Sequence, residues 1–562
     1  MLVHRWLSLP IAALCAVVLG VPAASAGTPP VVWWVQAGAT PGGDGSAQHP
    51  FATLADVEAA SAPGSTIQVL PSALALDGGI ALKPGQTLAA APGGIQPRMA
   101  GDAPTITNST AGHLDGAAVV VADHTVVRGL RIDGAYGPGI RGRDVNDVEI
   151  DGNLITGFDQ GQRVAAVGWL GLQFAEAGID IRAAGSTRSV LDIHDNEIAA
   201  ADGNGTIFRT SGSATMNARL GRNSIHDLGL ASVLPQGNFG FVEAIFFDSS
   251  DTSSLKLRVD GLSVDDIGSG TTSNADAIFS TLDGISQQRV DIRNYTFRDS
   301  SGVGGPRASG GEFVTGIPTA TSGSRFSLRV ADSDIRDAQA EGLQIDDFSK
   351  GGDVTIKILD TVISHVGLSQ TPDPAEHPLG RADCLEITPR NPASGSDYAV
   401  TLDGDRFDGC TGNGVQVWNG PATLSDVVAA AVDDLSIDVR DTVLAGNGGA
   451  GLLVDDVGTI GDLALRAART TVTGNATGLA LLDAAPGATA ASTIDLGGGD
   501  LGSRGRNRIF GNGLDVRAAG SFAIAATRNW WGDPAGPAPG QLALDGGATL
   551  ATDPPLDQDP QP

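Results

Sequence analysis

The chain is poor in aromatic residues, cysteine and positive charge. Aromatics make up 5% of its 562 residues, with three tyrosines, so Val, Ile, Leu and Ala rather than large rings must fill the core. Lys and Arg number 35 against 64 Asp and Glu, a formal charge of −29. That balance argues against a nucleic-acid partner, because phosphate binding needs clustered cations. It also disfavours tight binding of an anionic polysaccharide unless a divalent cation bridges the two. Past the first 26 residues no run reaches the roughly 18 apolar residues of a membrane span, so no transmembrane segment is expected. Glycine, by contrast, is abundant at 78 residues, with 41% hydrophobic and 18% charged residues overall. Such a composition argues against disorder and suits an all-β chain with many turns.

Residues 1–26 read as a secretory leader: Arg5 supplies the positive end, Leu9 to Val21 is apolar, and Ala24-Ser25-Ala26 is a small-residue cleavage signal before Gly27. The expected product is secreted, to the extracellular space or a periplasm, after cleavage near Ala26. Of the three cysteines, Cys15 falls in the leader. Cys384 and Cys410 remain, either paired as a disulfide in an oxidising compartment or lying as two small buried thiols.

One pattern recurs along the mature chain: apolar, any, apolar, any, any, small polar, any, apolar. It appears at Val148/Ile150/Asn153/Ile155, Leu191/Ile193/Asn196/Ile198, Val400/Leu402/Asp405/Phe407 and Ile437/Val439/Thr442/Leu444, among others. The period-2 apolar steps predict half-buried strands, and the polar residue predicts a bend where its side chain satisfies backbone groups. Downstream of each copy a second short strand opens on a small residue, as in Gly178-Ile179-Asp180-Ile181, Gly342-Leu343-Gln344-Ile345, Cys384-Leu385-Glu386-Ile387 and Gly414-Val415-Gln416-Val417. Two strands and a bend, repeated at a period of about 25 to 45 residues, predict a solenoid whose strands pair in parallel with their copies in the next coil.

These residues resemble the right-handed parallel β-helix family, the pectate-lyase-like proteins, over nearly all of the mature chain. Gly43-Asp44-Gly45-Ser46 followed by His49-Pro50-Phe51-Ala52-Thr53-Leu54 is similar to the amino-terminal entry of secreted members, and Asn529-Trp530-Trp531-Gly532-Asp533-Pro534 to their closing motif. The resemblance implies an all-β, single right-handed parallel β-helix solenoid with a short N-terminal capping helix and a C-terminal Trp-containing cap. The expected division is a signal peptide (1–26), an N-terminal cap with the first coils (27–100), the β-helix (101–548) and a disordered tail (549–562). In the cap, Thr53 is the predicted N-cap, with Leu54 and Val57 turned to the first coil.

Insertions fall at one point of the coil, between the bend strand and the small-residue strand, and are long at Ile155 to Ile179, Ile225 to Ile245, Phe297 to Phe313 and Ile363 to Leu385. The long loops therefore wall one side of the rod, with the small-residue strand as floor. The outward column on that floor reads Asp180, Phe246, Phe279, Val314, Gln344, Glu386 and Gln416, and predicts an open cleft over the coils from about 240 to 420. A second column, just before the small residue, reads Glu243, Asp276, Glu341, Asp383 and Asn413. Stacked about 5 Å apart, its carboxylates must splay into water, hold a proton or share a cation. Glu341 and Asp347 are the candidate ligands for Ca²⁺, the one cofactor the sequence suggests.

The densest reactive group runs from His365 to Arg390. The resembled family includes uronate lyases, which use Lys or Arg as proton acceptor, and glycoside hydrolases, which use paired carboxylates. That implies Arg381 or Arg390 as acceptor in the first chemistry, and Glu386 with Asp383 or Asp346 as the pair in the second. Gln344, Gln416, Trp418 and His377 are the candidate substrate contacts. Each of these residues equally fits a solvated turn charge or an ion pair to a neighbouring coil. The expected partner is an extracellular polysaccharide, bound or cleaved by a monomer; the alternative is a non-catalytic surface, matrix or adhesive protein.

Overall fold

Period-2 burial sets the architecture. In Thr215–Gly221, for example, Met216, Ala218 and Leu220 are buried while Thr215, Asn217 and Arg219 are exposed, so one face of each such strand must find a core. The computed structural model describes residues 31–91, 103–161, 164–167, 172–229, 240–268, 275–299, 308–316, 323–349, 351–367, 382–389, 395–418, 431–456, 459–483 and 491–561. Among them the chain winds through three long all-parallel sheets of 17, 13 and 15 strands. The single right-handed parallel β-helix read from the sequence is the fold.

Each coil carries three strands rather than two. In one coil they are Arg188–His194 in the first sheet, Glu197–Ala201 in the second and Asn204–Thr210 in the third. The last apolar position of the repeat, Ile198 here, opens no mere bend; it belongs to a sheet of its own and pairs with Ile225 in the next coil. Register carries through these coils: Ile193 pairs with Leu220, and Ile150 with Ile193. One contiguous core runs along the inside, including Ile150, Ile155, Ile179 and Ile181.

The bend between the first two sheets is a left-handed residue followed by a buried polar one. Asp195, Arg222, Asp360, Asp441 and Arg469 have φ of 57, 51, 50, 49 and 55°, and Asn196, Asn223, Thr361, Thr442 and Thr470 follow them. At φ near +55° the chain turns within one residue, and the next side chain is driven inward. Asn196 Oδ1 accepts the Asn153 N–H at 3.0 Å, and Asn223 Oδ1 accepts the Asn196 N–H at 3.0 Å, a ladder that satisfies the bend in every coil it spans.

Asp405 occupies this ladder where other coils place Asn or Thr. It accepts N–H groups from Thr361 and Asp403, both at 2.9 Å, yet burial, helped by the charges of Asp360 and Asp403, pushes its pKa up to about 8. The folded chain thus holds a proton that the unfolded chain releases from about pH 4, so this residue's stability contribution is lost as pH rises towards 8. Wild-type stability is expected to fall by on the order of 5 kcal/mol between pH 4 and pH 8, and Asp405→Asn, which cannot ionise, to lose most of that pH dependence, read from urea unfolding across the range.

The ends depart from expectation in one respect. Helix Leu54–Ala60 forms with Thr53 as N-cap, its hydroxyl accepting the Asp56 N–H at 3.2 Å, and Leu54 and Val57 are buried. At the other end Trp531 is buried, but the coils continue past it: Leu542–Asp545 joins the third sheet and Thr549–Ala551 the first. The segment expected as a disordered tail from 549 is held further by Arg508, whose Nε and Nη2 donate to Asp559 at 2.6 and 2.7 Å. Apolar Leu550, packed on the core, supplied the strand that a Pro- and Asp-rich composition concealed.

Candidate functional site

The two faces of the rod differ in a way composition does not foretell. Strands of the first sheet alternate exposed and buried, whereas third-sheet strands Ile278–Leu282, Leu343–Asp347 and Leu385–Pro389 are buried at every position. Their outward side chains are therefore covered. Part of that outer face is apolar: Ala177, Ile207, Phe246, Phe279, Val314 and Phe348 form a second cluster apart from the core. Segments of the first two long insertions meet, since Leu172–Ala175 from one pairs with Gly240–Phe241 from the other. A small residue opens the third-sheet strands because the coils close tightly there; a Cβ on Gly342 would run into the Cys384 carbonyl and Ile363.

Beyond the apolar cluster the outer face turns polar. The outward column runs Ile207, Phe246, Phe279, Glu312, Gln344, Glu386 and Gln416, each the register partner of the next. Gln344, Glu386 and Gln416 stack as the repeat predicts, but Glu312 takes the place expected for Val314, which instead pairs with Asp346 in the neighbouring outward column. Asp180 and Phe246 are not adjacent, because Asn204–Thr210 is a coil of its own between them. Asp346 is opposite Thr388 and is thus a diagonal neighbour of Glu386. Gln344 Nε2 donates to Asp346 Oδ2 at 3.1 Å, and the Thr388 hydroxyl donates to Glu386 Oε1 at 2.8 Å. The cleft is not open at this point: Gln344, Asp346 and Glu386 are 5, 6 and 3% exposed. Glu312 and Gln416, one coil to either side of the Gln344–Glu386 step, are partly exposed. Trp418 holds the last position of Val415–Trp418, opposite Asp455. His377, Arg381 and Arg390 lie outside the described residues.

The second acidic column does not splay into water: Glu243, Asp276, Glu341 and Asp383 are buried. Its members turn along the rod axis to the backbone of the next coil: Asn204 Oδ1 accepts the Glu243 N–H at 2.6 Å, Glu243 accepts the Asp276 N–H, and Asp276 accepts the Ser309 N–H at 3.3 Å. Asp383 likewise accepts the Asn413 N–H, and Asn413 the Ala450 N–H at 2.7 Å. The column is a second backbone ladder, at the corner entering the third sheet. One oxygen of Asp383 is thereby committed to its corner. Burial, with a contribution from Glu312, raises the Glu243 pKa well above the carboxylate range.

Of the two expected Ca²⁺ ligands, Asp347 does not fit a cation. Alternation carries Asp347 to the inside of the coil, where Thr315 Oγ1 donates to it at 2.5 Å, the Ser349 N–H at 2.8 Å, and the Tyr398 hydroxyl donates to its other oxygen. Both oxygens are occupied, and burial raises its pKa. Glu341 is a buried corner residue, its carbonyl accepting the Gly310 N–H. Among the described residues, the group with metal-compatible spacing is Glu149, Asp151 and His194, and it lies on the first sheet. Cys384 and Cys410 form a disulfide with Cα atoms 5.7 Å apart, beside the strand that carries Glu386.

No protein-family profile matches the chain, and no curated protein does. Among solved structures it is similar to an Azotobacter vinelandii mannuronan C-5 epimerase A-module over 89% of this chain and 94% of that one, at 12% identity and TM-score 0.28. It is similar to the periplasmic alginate epimerase AlgG over 79% and 82%, at 11% identity and TM-score 0.29. A rhamnogalacturonan lyase matches over 76% and 84%, at 11% identity and TM-score 0.24. At such TM-scores these likenesses carry no argument about activity. No helix among the described residues is long and apolar enough to cross a membrane.

Proposed function

We propose that this chain is exported and binds an extracellular polysaccharide along the outer face of its third sheet, acting on it through Glu386 and Asp346. One observation carries the reading: Glu386 stacks between Gln344 and Gln416, with Asp346 diagonal to it, on the outer face of the third sheet. Strand geometry separates diagonal Cα atoms by about 8 Å. Carboxylate pairs in glycoside hydrolysis stand about 5 to 9.5 Å apart, the shorter spacing giving retention and the longer inversion. The amides of Gln344 and Gln416 offer donors and acceptors suited to sugar hydroxyls. Thr388 and Gln344 fix the two carboxyl groups by a hydrogen bond each, as an acid–base pair requires.

A second reading, a non-catalytic surface or matrix protein, is favoured by the near-complete burial of the same strip. A glycan array followed by product analysis separates them. Shortened or unsaturated oligosaccharides are the expected result; retention without product removes the catalytic step and leaves a binding role, and neither binding nor product on any glycan overturns the proposal and leaves the second reading.

A further inference from the structure

The third sheet carries, upstream of the acidic strip, a column of three arginines. Strands Ile140–Arg143, Ala177–Ala183 and Asn204–Thr210 are neighbours, and Arg143, Arg182 and Arg209 are successive register partners. Parallel pairing stacks them at about 5 Å. Like charges at that spacing repel, and a chain of net charge −29 has carboxylates in excess with which to relieve them. It supplies one. Asp180, its side chain 2% exposed, accepts from Arg143 Nη2 at 2.8 Å and from Arg182 Nε and Nη2 at 3.0 and 2.9 Å.

Arg209 is left differently. Its guanidinium lies 5.5 Å from the centroid of the Phe246 ring, and its Nε is buried without a hydrogen-bond partner. Burial, and the charge of Arg182 beside it, bring its pKa down to about 10. Asp248, the next residue in the column, accepts the Thr281 hydroxyl at 2.7 Å. Its pKa is raised by burial, which weakens it as a counter-charge. Arg141, the remaining cation on this edge, is engaged by the Leu114 carbonyl at 2.8 Å and by Asp115 at 3.3 Å. The side chains of Arg143 and Arg182 are 40 and 34% exposed, so solvent reaches the column.

We propose that Arg182 and Arg209, with Arg143 behind them, form a binding site for an oxyanion: a carboxylate, sulfate or phosphate group that takes the unpartnered Arg209 Nε and offsets the charge of the column. Guanidinium forks match such groups through paired N–H donors, and Phe246 holds the Arg209 fork in plane from one side. The site stands independently of the carboxylate pair around Glu386, several coils away along the same face.

The test is a titration of the full chain with sodium sulfate, and separately with phosphate, at constant ionic strength against chloride, followed by calorimetry and thermal shift. Saturable binding with a rise in Tm is expected. Arg209→Gln is expected to weaken it at least about tenfold, and Arg258→Gln, on the first sheet, to leave it unchanged. Should Arg209→Gln fail to fold, Arg209→Lys keeps the charge and loses the fork, and is expected to bind several-fold more weakly. Absence of saturable binding in wild type, or wild-type affinity in the Arg209 variant, overturns the proposal. A second arm compares sulfated or uronate oligosaccharides with the free ions. Tighter binding of the oligosaccharide assigns the site to an anion carried on a glycan, and equal binding to a free anion.

Discussion

Glu386→Gln is expected to lower turnover of a responsive glycan by about 10²- to 10⁴-fold while leaving its binding within a few-fold of wild type. The substitution keeps the shape and the acceptor that the Thr388 hydroxyl uses, and removes only the group able to exchange a proton. Asp346→Asn is expected to act in the same direction, since the Gln344 amide can still donate to the retained carbonyl oxygen. The two losses should not add fully, because an acid–base pair works as a unit. Product release measured alongside equilibrium binding for the single and double variants checks this. Unchanged turnover in Glu386→Gln would remove the residue from the chemistry.

The largest stability effect is expected at the bend ladder. Asn196 is fully buried, and its Oδ1 accepts both the backbone N–H and the Nδ2 of Asn153 at 3.0 Å, while its Nδ2 donates to the Ile150 and His194 carbonyls at 2.9 Å and to Asn223 Oδ1 at 3.1 Å. Asn196→Ala removes all of these together and leaves a buried N–H and carbonyls without their partners. The expected loss is about 3–5 kcal/mol, since each stranded buried group costs about 1–3 kcal/mol. Asn217→Ala, on the exposed face of the first sheet, is the control and is expected to stay within about 0.5 kcal/mol of wild type. Equilibrium urea unfolding of both variants decides it. Equal stabilities would mean that the ladder contributes little beyond water.

Much of this ladder was legible in the sequence, because an Asn, Asp or Thr fixed two positions before an apolar residue has few other uses in a stack of strands. The stacking of Gln344, Glu386 and Gln416 followed from the same register. Three features were hidden. The coil Asn204–Thr210 escaped because Thr206 stands where the pattern has an inward apolar residue, its register partners being Ile179 and Ile245. The shift from Val314 to Glu312 came from the long insertion before that strand, which leaves no spacing from which to count. The bonds of the corner carboxylates were hidden because a residue at a bend obeys no period of two, so its direction depends on the next coil. The arginine column had a signal, Arg at or next to the end of three successive third-sheet strands, which becomes visible once Asn204–Thr210 is counted as one of them. Asp347 could be placed inward by alternation alone; the expectation of a cation site gave weight to its oxygens and not to its face.

The most direct measurement is a crystal structure of the Glu386→Gln variant soaked with a glycan that the wild-type chain binds. Sugar density on the outer face of the third sheet, with Gln344, Gln416 and the substituted residue 386 in contact and Asp346 beside the reacting bond, is the predicted result. Density on the alternating exposed face of the first sheet, with the third sheet unoccupied, would contradict the account.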